Sequence, residues 1–169
     1  YNLLVLEDGA AFLGEAFGAA APAIGDLVPE RPDIPGAGEL VFNTAMAGYH
    51  EVLTDPSYTG QIVTMTYPHM GNYGTADSWT ETGPEQAERR ATVKANAFVV
   101  RELYGGRVSA GRAQLHHFLE RSGIPGIAGV DTRAVTLRLR DLGSCNAVLL
   151  RAPDYVEQEA EELQLQAPD

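Results

Sequence analysis

Two runs in the first half of the chain have strand patterns: residues 39–44 form a short apolar run that ends in Asn-Thr, and apolar and polar positions alternate in residues 61–67. The second run has the period of two that sends successive side chains to opposite faces of a sheet. Its two faces carry Val63, Met65 and Tyr67 on one side and Ile62, Thr64 and Thr66 on the other. Both runs therefore predict strands, and the residues between them predict the loop that connects the strands.

Helical spacing replaces alternation in the second half of the chain. Residues 110–121 begin after Ser109, a suitable N-cap, and end before Gly123, which suits the position that closes a helix. The apolar face of this helix should comprise Leu115, Phe118 and Leu119. A second helix is predicted at residues 131–142, ending at Gly143. Its buried face should comprise Val135, Leu139 and Leu142, and its outward face Arg133, Arg138 and Arg140.

Shorter signals complete the secondary structure. Asp8 and Gly9 lie between apolar runs at 3–6 and 11–18, which predicts a hairpin at the start of the chain. Four prolines in residues 19–37 predict a long loop and exclude a central strand there. Strand patterns recur at 95–101 and 146–150. Strands early in the chain and helices late indicate a mixed α/β architecture with helices packed on a sheet.

Composition narrows the classes of function. A chain of 169 residues with 44% apolar side chains has the size of one domain with its own core. No apolar run approaches the roughly 20 residues that cross a bilayer, and no secretory signal opens the chain, so we expect no membrane association and a cytoplasmic location. The net charge of −11, from 12 basic and 23 acidic residues, argues against nucleic-acid binding.

The connection between the two early strands contains a turn with a chemical consequence. Pro56 fixes its own φ and moves Asp55 out of the helical region. The Asp55 carboxylate can then accept the backbone N–H of Ser57, which leaves the Ser57 hydroxyl at the crown of the loop. Residues 68–74, with two glycines, predict a second loop, and the two loops could meet at one edge of the sheet.

A small serine hydrolase is one chemistry that these loops could support. It would use Ser57, His69 and Asp55 as a triad. However, Ser57 lacks the Gly-x-Ser-x-Gly elbow and an evident oxyanion donor. The simpler alternative is that the Ser57 hydroxyl only satisfies its own turn.

Other reactive residue types do not predict a site. Cys145 follows a helix and enters a strand, whereas a nucleophilic cysteine needs an exposed turn, so we expect a structural role for it. No metal site is expected, because the adjacent His116 and His117 point to different sides of a helix and no Cys or His lies one helical turn from either. The remaining histidines, His50 and His69, are expected in loops or on the surface.

Several segments together resemble one known family. They are FNT at 42–44, EVLTDPSY at 51–58, QIVT at 61–64 and TYPHMGN at 66–72, with LLVLEDG at 3–9 and AGVDTR at 128–133. This sequence closely resembles the N-terminal domain of the small, glutamine-hydrolysing subunit of carbamoyl phosphate synthetase. The matching segments extend over most of the chain.

The resemblance implies a definite fold and domain organisation. The expected fold is a three-layer β/β/α domain of the swivelling type, formed by residues 1–152. Residues 153–169 would form a C-terminal helix or linker toward an amidotransferase domain, which follows in the family and carries its Cys-His-Glu triad. No counterpart of that triad occurs in this sequence, and the start at Tyr1 rather than Met fits an isolated domain.

The resemblance also implies a function for the parent enzyme, a ligase. Its small subunit takes ammonia from glutamine, and its large subunit combines the ammonia with bicarbonate and ATP to make carbamoyl phosphate for arginine and pyrimidine synthesis. This domain would be non-catalytic, would hold no cofactor, and would dock the large subunit, where ATP and divalent metal bind. Ser57 would lie against the glutamine site of the amidotransferase domain and help to hold the substrate.

Overall fold

The structure is a computed structural model that describes residues 1–23, 35–44, 49–66, 69–70, 93–103, 109–154, 156 and 158. The strands within these ranges are β1 (Asn2–Leu6), β2 (Ala11–Gly18), β3 (Ala37–Asn43), β4 (Gln61–Met65), β5 (His69–Met70), β6 (Ala97–Val99), β7 (Glu102–Leu103), β8 (Pro125–Ala128) and β9 (Asn146–Arg151). The helices are α1 (Tyr49–Thr54), a short 3-10 helix (Pro56–Tyr58), α2 (Ser109–Arg121) and α3 (Thr132–Leu142).

Seven of the described strands close into a barrel in the order β1-β2-β8-β6-β4-β3-β9, with β9 pairing back onto β1. The neighbours among β3, β4, β6 and β8 are parallel, and β1, β2 and β9 join the barrel by antiparallel pairs. The mixed α/β class is confirmed. The three-layer arrangement is not, because β9 pairs with both β1 and β3 and so joins these strands into one closed sheet.

The predicted hairpin and strands are confirmed with small changes in their bounds. β1 and β2 pair through the turn at Asp8 and Gly9, where Gly9 adopts the positive φ of 91° that favours glycine. The strand pattern at 95–101 contains β6, and the pattern at 146–150 contains β9. The C-terminal helix or linker predicted at residues 153–169 lies largely outside the described residues.

The core divides into two clusters on opposite sides of the sheet. The inner cluster draws on most strands of the barrel and therefore lies inside it; it includes Leu4, Leu6, Leu40, Ile62, Val99, Ile127 and Leu149. The outer cluster lies between the barrel wall and helices α1 and α2; it includes Val52, Leu53, Val63, Met65, Phe98, Leu115, Phe118 and Leu119. The alternation predicted for β4 is thus observed, since Ile62 faces inward and Val63 outward.

Helix α3 packs on the inner cluster through Val135 and Leu139, as predicted. Asp131 caps its first turn by accepting the backbone N–H of Ala134 at 3.1 Å. The prediction that Leu142 is buried was wrong, since this side chain is 42% exposed. Leu142 is the last residue of the helix, and the buried face is completed instead by Thr136 and Thr132, about two and three turns earlier.

Close packing at one point of the barrel requires a glycine. The ring of Phe17 in β2 lies directly over Gly126 in β8, where an added Cβ would approach ring carbons to 2.5–2.7 Å. The same ring meets Phe98 edge to face, with 6.5 Å between ring centroids. No helix in the described part of the chain is long and apolar enough to span a bilayer.

Candidate functional site

The turn predicted around Pro56 is confirmed, and it takes the form of a single 3-10 helix. The Asp55 carboxylate accepts the backbone N–H of Ser57 at 2.9 Å. The Asp55 carbonyl accepts the N–H of Tyr58, and the Pro56 carbonyl accepts the N–H of Thr59, each at 3.1 Å. The Ser57 side chain is exposed at the crown of the turn, as the sequence predicted.

The electrostatics of this turn centre on Asp55. The backbone N–H of Ser57, followed by a hydrogen bond from the Ser57 side chain, holds the pKa of the Asp55 carboxyl below its usual value. The Asp55 carboxyl is therefore ionised at neutral pH, and its oxygen is hydrogen-bonded to Ser57. In a hydrolase triad the acid instead orients a histidine, and this carboxylate is already engaged by Ser57.

A side chain from the next residue ties the turn to the barrel. Tyr58 is half-buried and packs on the outer cluster. Its phenol oxygen accepts a hydrogen bond from the Asn43 side-chain amide at 2.8 Å. Asn43 ends β3, and its carbonyl accepts both the N–H of Thr66, at 3.1 Å, and the Thr66 hydroxyl, at 3.2 Å. The Ser57 turn is thus linked to the adjacent ends of β3 and β4.

The second predicted loop, residues 68–74, lies outside the described residues except for strand β5. Within that strand, His69 pairs with Glu102 of β7. The position of the His69 side chain is not among the described features, so the proposed meeting of the two loops stays a prediction. The role of Ser57 in binding glutamine likewise stays a prediction.

Cys145 is buried, with 1% of its surface exposed, and it belongs to the inner cluster. Its thiol donates a hydrogen bond to the Asn146 carbonyl at 3.2 Å. A nucleophilic thiol must be accessible to substrate and is commonly activated by a nearby base or cation. The burial of Cys145 therefore supports the structural role that the sequence predicted.

One polar cluster on α2 was missed by the sequence reasoning. His116, His117 and Glu120 bring their side-chain nitrogen and oxygen atoms within 4.8 Å of one another. His116 Nε2 lies 3.3 Å from Glu120, and His117 Nδ1 lies 3.8 Å from it. The signal that could have found the cluster is the spacing of four residues between His116 and Glu120, which brings two side chains together on a helix.

The hydrogen bonding of His116 argues against a metal in this cluster. Its Nδ1 accepts the backbone N–H of Gly18 at 2.9 Å. A neutral imidazole that accepts at Nδ1 carries its proton on Nε2, which here faces Glu120. Both nitrogens are then engaged, and neither has a lone pair for a metal. The cluster fastens α2 to the end of β2, and the expected absence of a metal site stays a prediction.

Comparison with known proteins identifies the family. The chain matches the family model described as carbamoyl-phosphate synthase small chain, CPSase domain, over residues 4–149. Three relatives, each named carbamoyl phosphate synthase small chain, come from Methanococcus maripaludis strain C7, Pseudomonas aeruginosa and Lactococcus lactis subsp. cremoris. They are 41%, 42% and 43% identical to this chain over 95%, 95% and 96% of its length.

The match covers only part of each relative. The chain spans 36% of the Methanococcus protein, 37% of the Pseudomonas protein and 40% of the Lactococcus protein. The relatives therefore contain a further region with no counterpart in these 169 residues. From the family match over residues 4–149, the chain belongs to the carbamoyl phosphate synthase small-chain family and corresponds to its CPSase domain.

Proposed function

We propose that this chain is the non-catalytic N-terminal domain of the small subunit of a glutamine-dependent carbamoyl phosphate synthetase. The parent enzyme would convert glutamine, bicarbonate and ATP to carbamoyl phosphate in the cytoplasm, for arginine and pyrimidine synthesis. The family match supports this assignment. So does the greater length of the relatives, which leaves room for a glutamine-hydrolysing amidotransferase domain.

The observation that carries the proposal is the Ser57 turn. Its hydroxyl-bearing residue is exposed, while the turn itself is held by the Asp55 carboxylate and tied to the barrel through Tyr58. A preorganised polar group of this kind suits binding. Cys145, the residue type that hydrolyses glutamine in the family, is buried in the inner cluster and so does not suit catalysis. Ser57 would hold a polar group of glutamine bound in the following domain.

The second part of the proposal concerns partners. The domain would dock the large subunit, which would bind ATP and divalent metal, and it would contact its own amidotransferase domain. Stable protein interfaces bury about 1,600 Å² in total, an area that this domain could supply together with the amidotransferase half. The acidic character of the chain, with a net charge of −11, would suit a partner surface that carries basic residues.

Ser57→Ala in the full-length small subunit, assembled with its large subunit, tests the role of the turn. Loss of a hydroxyl that bonds a charged substrate group should raise the glutamine KM about tenfold. Synthesis from free ammonia bypasses this contact and should proceed at the unaltered rate. Ser122→Ala is a matched control, since it removes a serine hydroxyl that bonds the Phe118 carbonyl at the end of α2. An unaltered glutamine KM in Ser57→Ala would contradict the proposal.

The alternative, a small serine hydrolase using Ser57, is less well supported. Its acid would be Asp55, but that carboxylate accepts the N–H of Ser57. Reaction of the chain with a fluorophosphonate probe distinguishes the two functions. Covalent labelling of Ser57 that is lost in Ser57→Ala would favour the hydrolase, and an unlabelled chain would favour the binding domain.

A further inference from the structure

Long-range backbone bonds hold the flanks of the Ser57 turn, since the Lys94 N–H donates to the Leu53 carbonyl at 2.8 Å and the Gly60 N–H donates to the Lys94 carbonyl at 3.2 Å. Within the turn itself, the hydrogen bonds from Ser57 to Asp55, from Tyr58 to Asp55 and from Thr59 to Pro56 each join residues two or three positions apart. Such bonds define the shape of the turn but not its place on the barrel. The Asn43 to Tyr58 bond, by contrast, joins residues 15 positions apart.

Asn43 is well suited to fix this place. It is the last residue of β3, paired in register with Met65 at the end of β4. Its carbonyl accepts two hydrogen bonds from Thr66, from the N–H and from the hydroxyl. The backbone of Asn43 is therefore held against the end of the parallel strand β4, and its side-chain amide has a defined position from which to donate to Tyr58.

Tyr58 transmits this position to the turn. Its ring packs on the outer cluster, and its oxygen bonds Asn43, so both ends of a rigid side chain are held. Tyr58 follows Ser57 directly, and its own N–H bonds the Asp55 carbonyl. A shift of the Tyr58 ring would therefore move the backbone that carries the Ser57 hydroxyl.

We infer that Asn43 and Tyr58 are positioning residues for glutamine binding, acting through Ser57. This inference rests on the proposed function, because it assumes that the Ser57 hydroxyl contacts the substrate. Neither residue needs to touch glutamine. Their hydrogen bond holds the turn in one position on the barrel, so the Ser57 hydroxyl is preorganised for the substrate. Preorganisation improves affinity because less conformational entropy is lost on binding.

The test uses the assembled two-subunit enzyme with Tyr58→Phe in its small subunit. The substitution keeps the ring and removes the bonded oxygen. We expect the glutamine KM to rise by about threefold to tenfold, the scale of one neutral hydrogen bond. The kcat with glutamine and the rate with free ammonia should stay unaltered. Tyr58→Phe combined with Ser57→Ala should be no worse in KM than Ser57→Ala alone, because the pair acts through that hydroxyl.

Two variants of Asn43 sharpen the test. Asn43→Leu removes the amide and should reproduce the effect of Tyr58→Phe on KM. Asn43→Asp can accept the phenol O–H of Tyr58, so the bond persists with its direction reversed and the KM should stay near the wild-type value. If Asn43 had a purely structural role, both variants would lose stability, and the glutamine KM of Asn43→Leu would not differ from that of Asn43→Asp.

Thr136→Val is the matched control for general destabilisation. It removes a buried hydroxyl that bonds the Thr132 carbonyl within α3, at 2.8 Å, and should leave the glutamine KM unaltered. If Ser57→Ala raises KM while Tyr58→Phe does not, the positioning inference is overturned and the proposed function stands. If Ser57→Ala leaves KM unaltered, the proposed function fails and the inference fails with it.

Discussion

The Asp55 carboxylate accepts the backbone N–H of Ser57 at 2.9 Å. The same residue, Ser57, carries the hydroxyl that we propose to contact glutamine. This relationship couples the charge of Asp55 to the shape of the turn. Because the N–H and then the side chain of Ser57 stabilise the charged form, the pKa of Asp55 in the folded chain lies below its usual value near 3.8.

The pH dependence of the turn follows from the direction of this shift. A carboxyl with a lowered folded pKa contributes stability that is present above its unfolded pKa and is lost as the pH falls through the folded value. The turn should therefore be insensitive to pH near neutrality and should loosen only in acid, below about pH 4. An NMR titration of the Asp55 carboxyl should give a midpoint below 3.8; a midpoint at or above that value would disagree with the geometry.

A buried hydroxyl inside the barrel predicts a stabilising substitution. Thr64 is fully buried, and its hydroxyl has no hydrogen-bond partner in the described structure. Val has nearly the same shape and carries no polar atom to desolvate. Thr64→Val should raise the free energy of unfolding by about 1 kcal/mol, and Tm by about 2–4 °C, in thermal denaturation.

The control for that substitution is Thr136→Val, which removes a buried hydroxyl that does have a partner. This variant should lose stability where Thr64→Val gains it. If both variants lost stability by the same amount, the Thr64 hydroxyl would have to be hydrogen-bonded, which would contradict its unpaired state in the described structure.

Cys145 should be dispensable for glutamine hydrolysis by the full-length small subunit. Its thiol is buried in the inner cluster and bonds the Asn146 carbonyl. Cys145→Ser should leave the kcat for glutamine hydrolysis nearly unaltered, and the isolated chain should show no glutaminase activity. Glutaminase activity of the isolated chain that disappeared with Cys145→Ser would contradict the structural role.

Local sequence signals predicted the parts of the fold that depend on near neighbours. The alternation in 61–65 assigned the two faces of β4, since side chains in a strand alternate whatever the strand pairs with. The turn at Asp55 was predicted because the residues that form it, Asp55, Pro56 and Ser57, follow one another in the sequence. Val135 and Leu139 were found by helical spacing alone.

Features that depend on distant pairing were not predicted. Closure of the barrel requires β9 to pair with β1, which brings Leu150 opposite Leu3, and no local pattern encodes such a partner. The bond from Gly18 to His116 joins residues 98 positions apart, and so it also escaped the sequence reasoning. The bond between Asn43 and Tyr58 depends on how the turn folds back over β3.

The affinity of the small subunit for the large subunit tests the central claim most directly. It should be measured for the full-length small subunit and for a version that lacks residues 1–169, with circular dichroism to verify that the remainder is folded. If this domain supplies a substantial part of an interface of about 1,600 Å², its removal should weaken binding at least tenfold, or by about 1.4 kcal/mol. An unaltered affinity with a folded remainder would contradict the account.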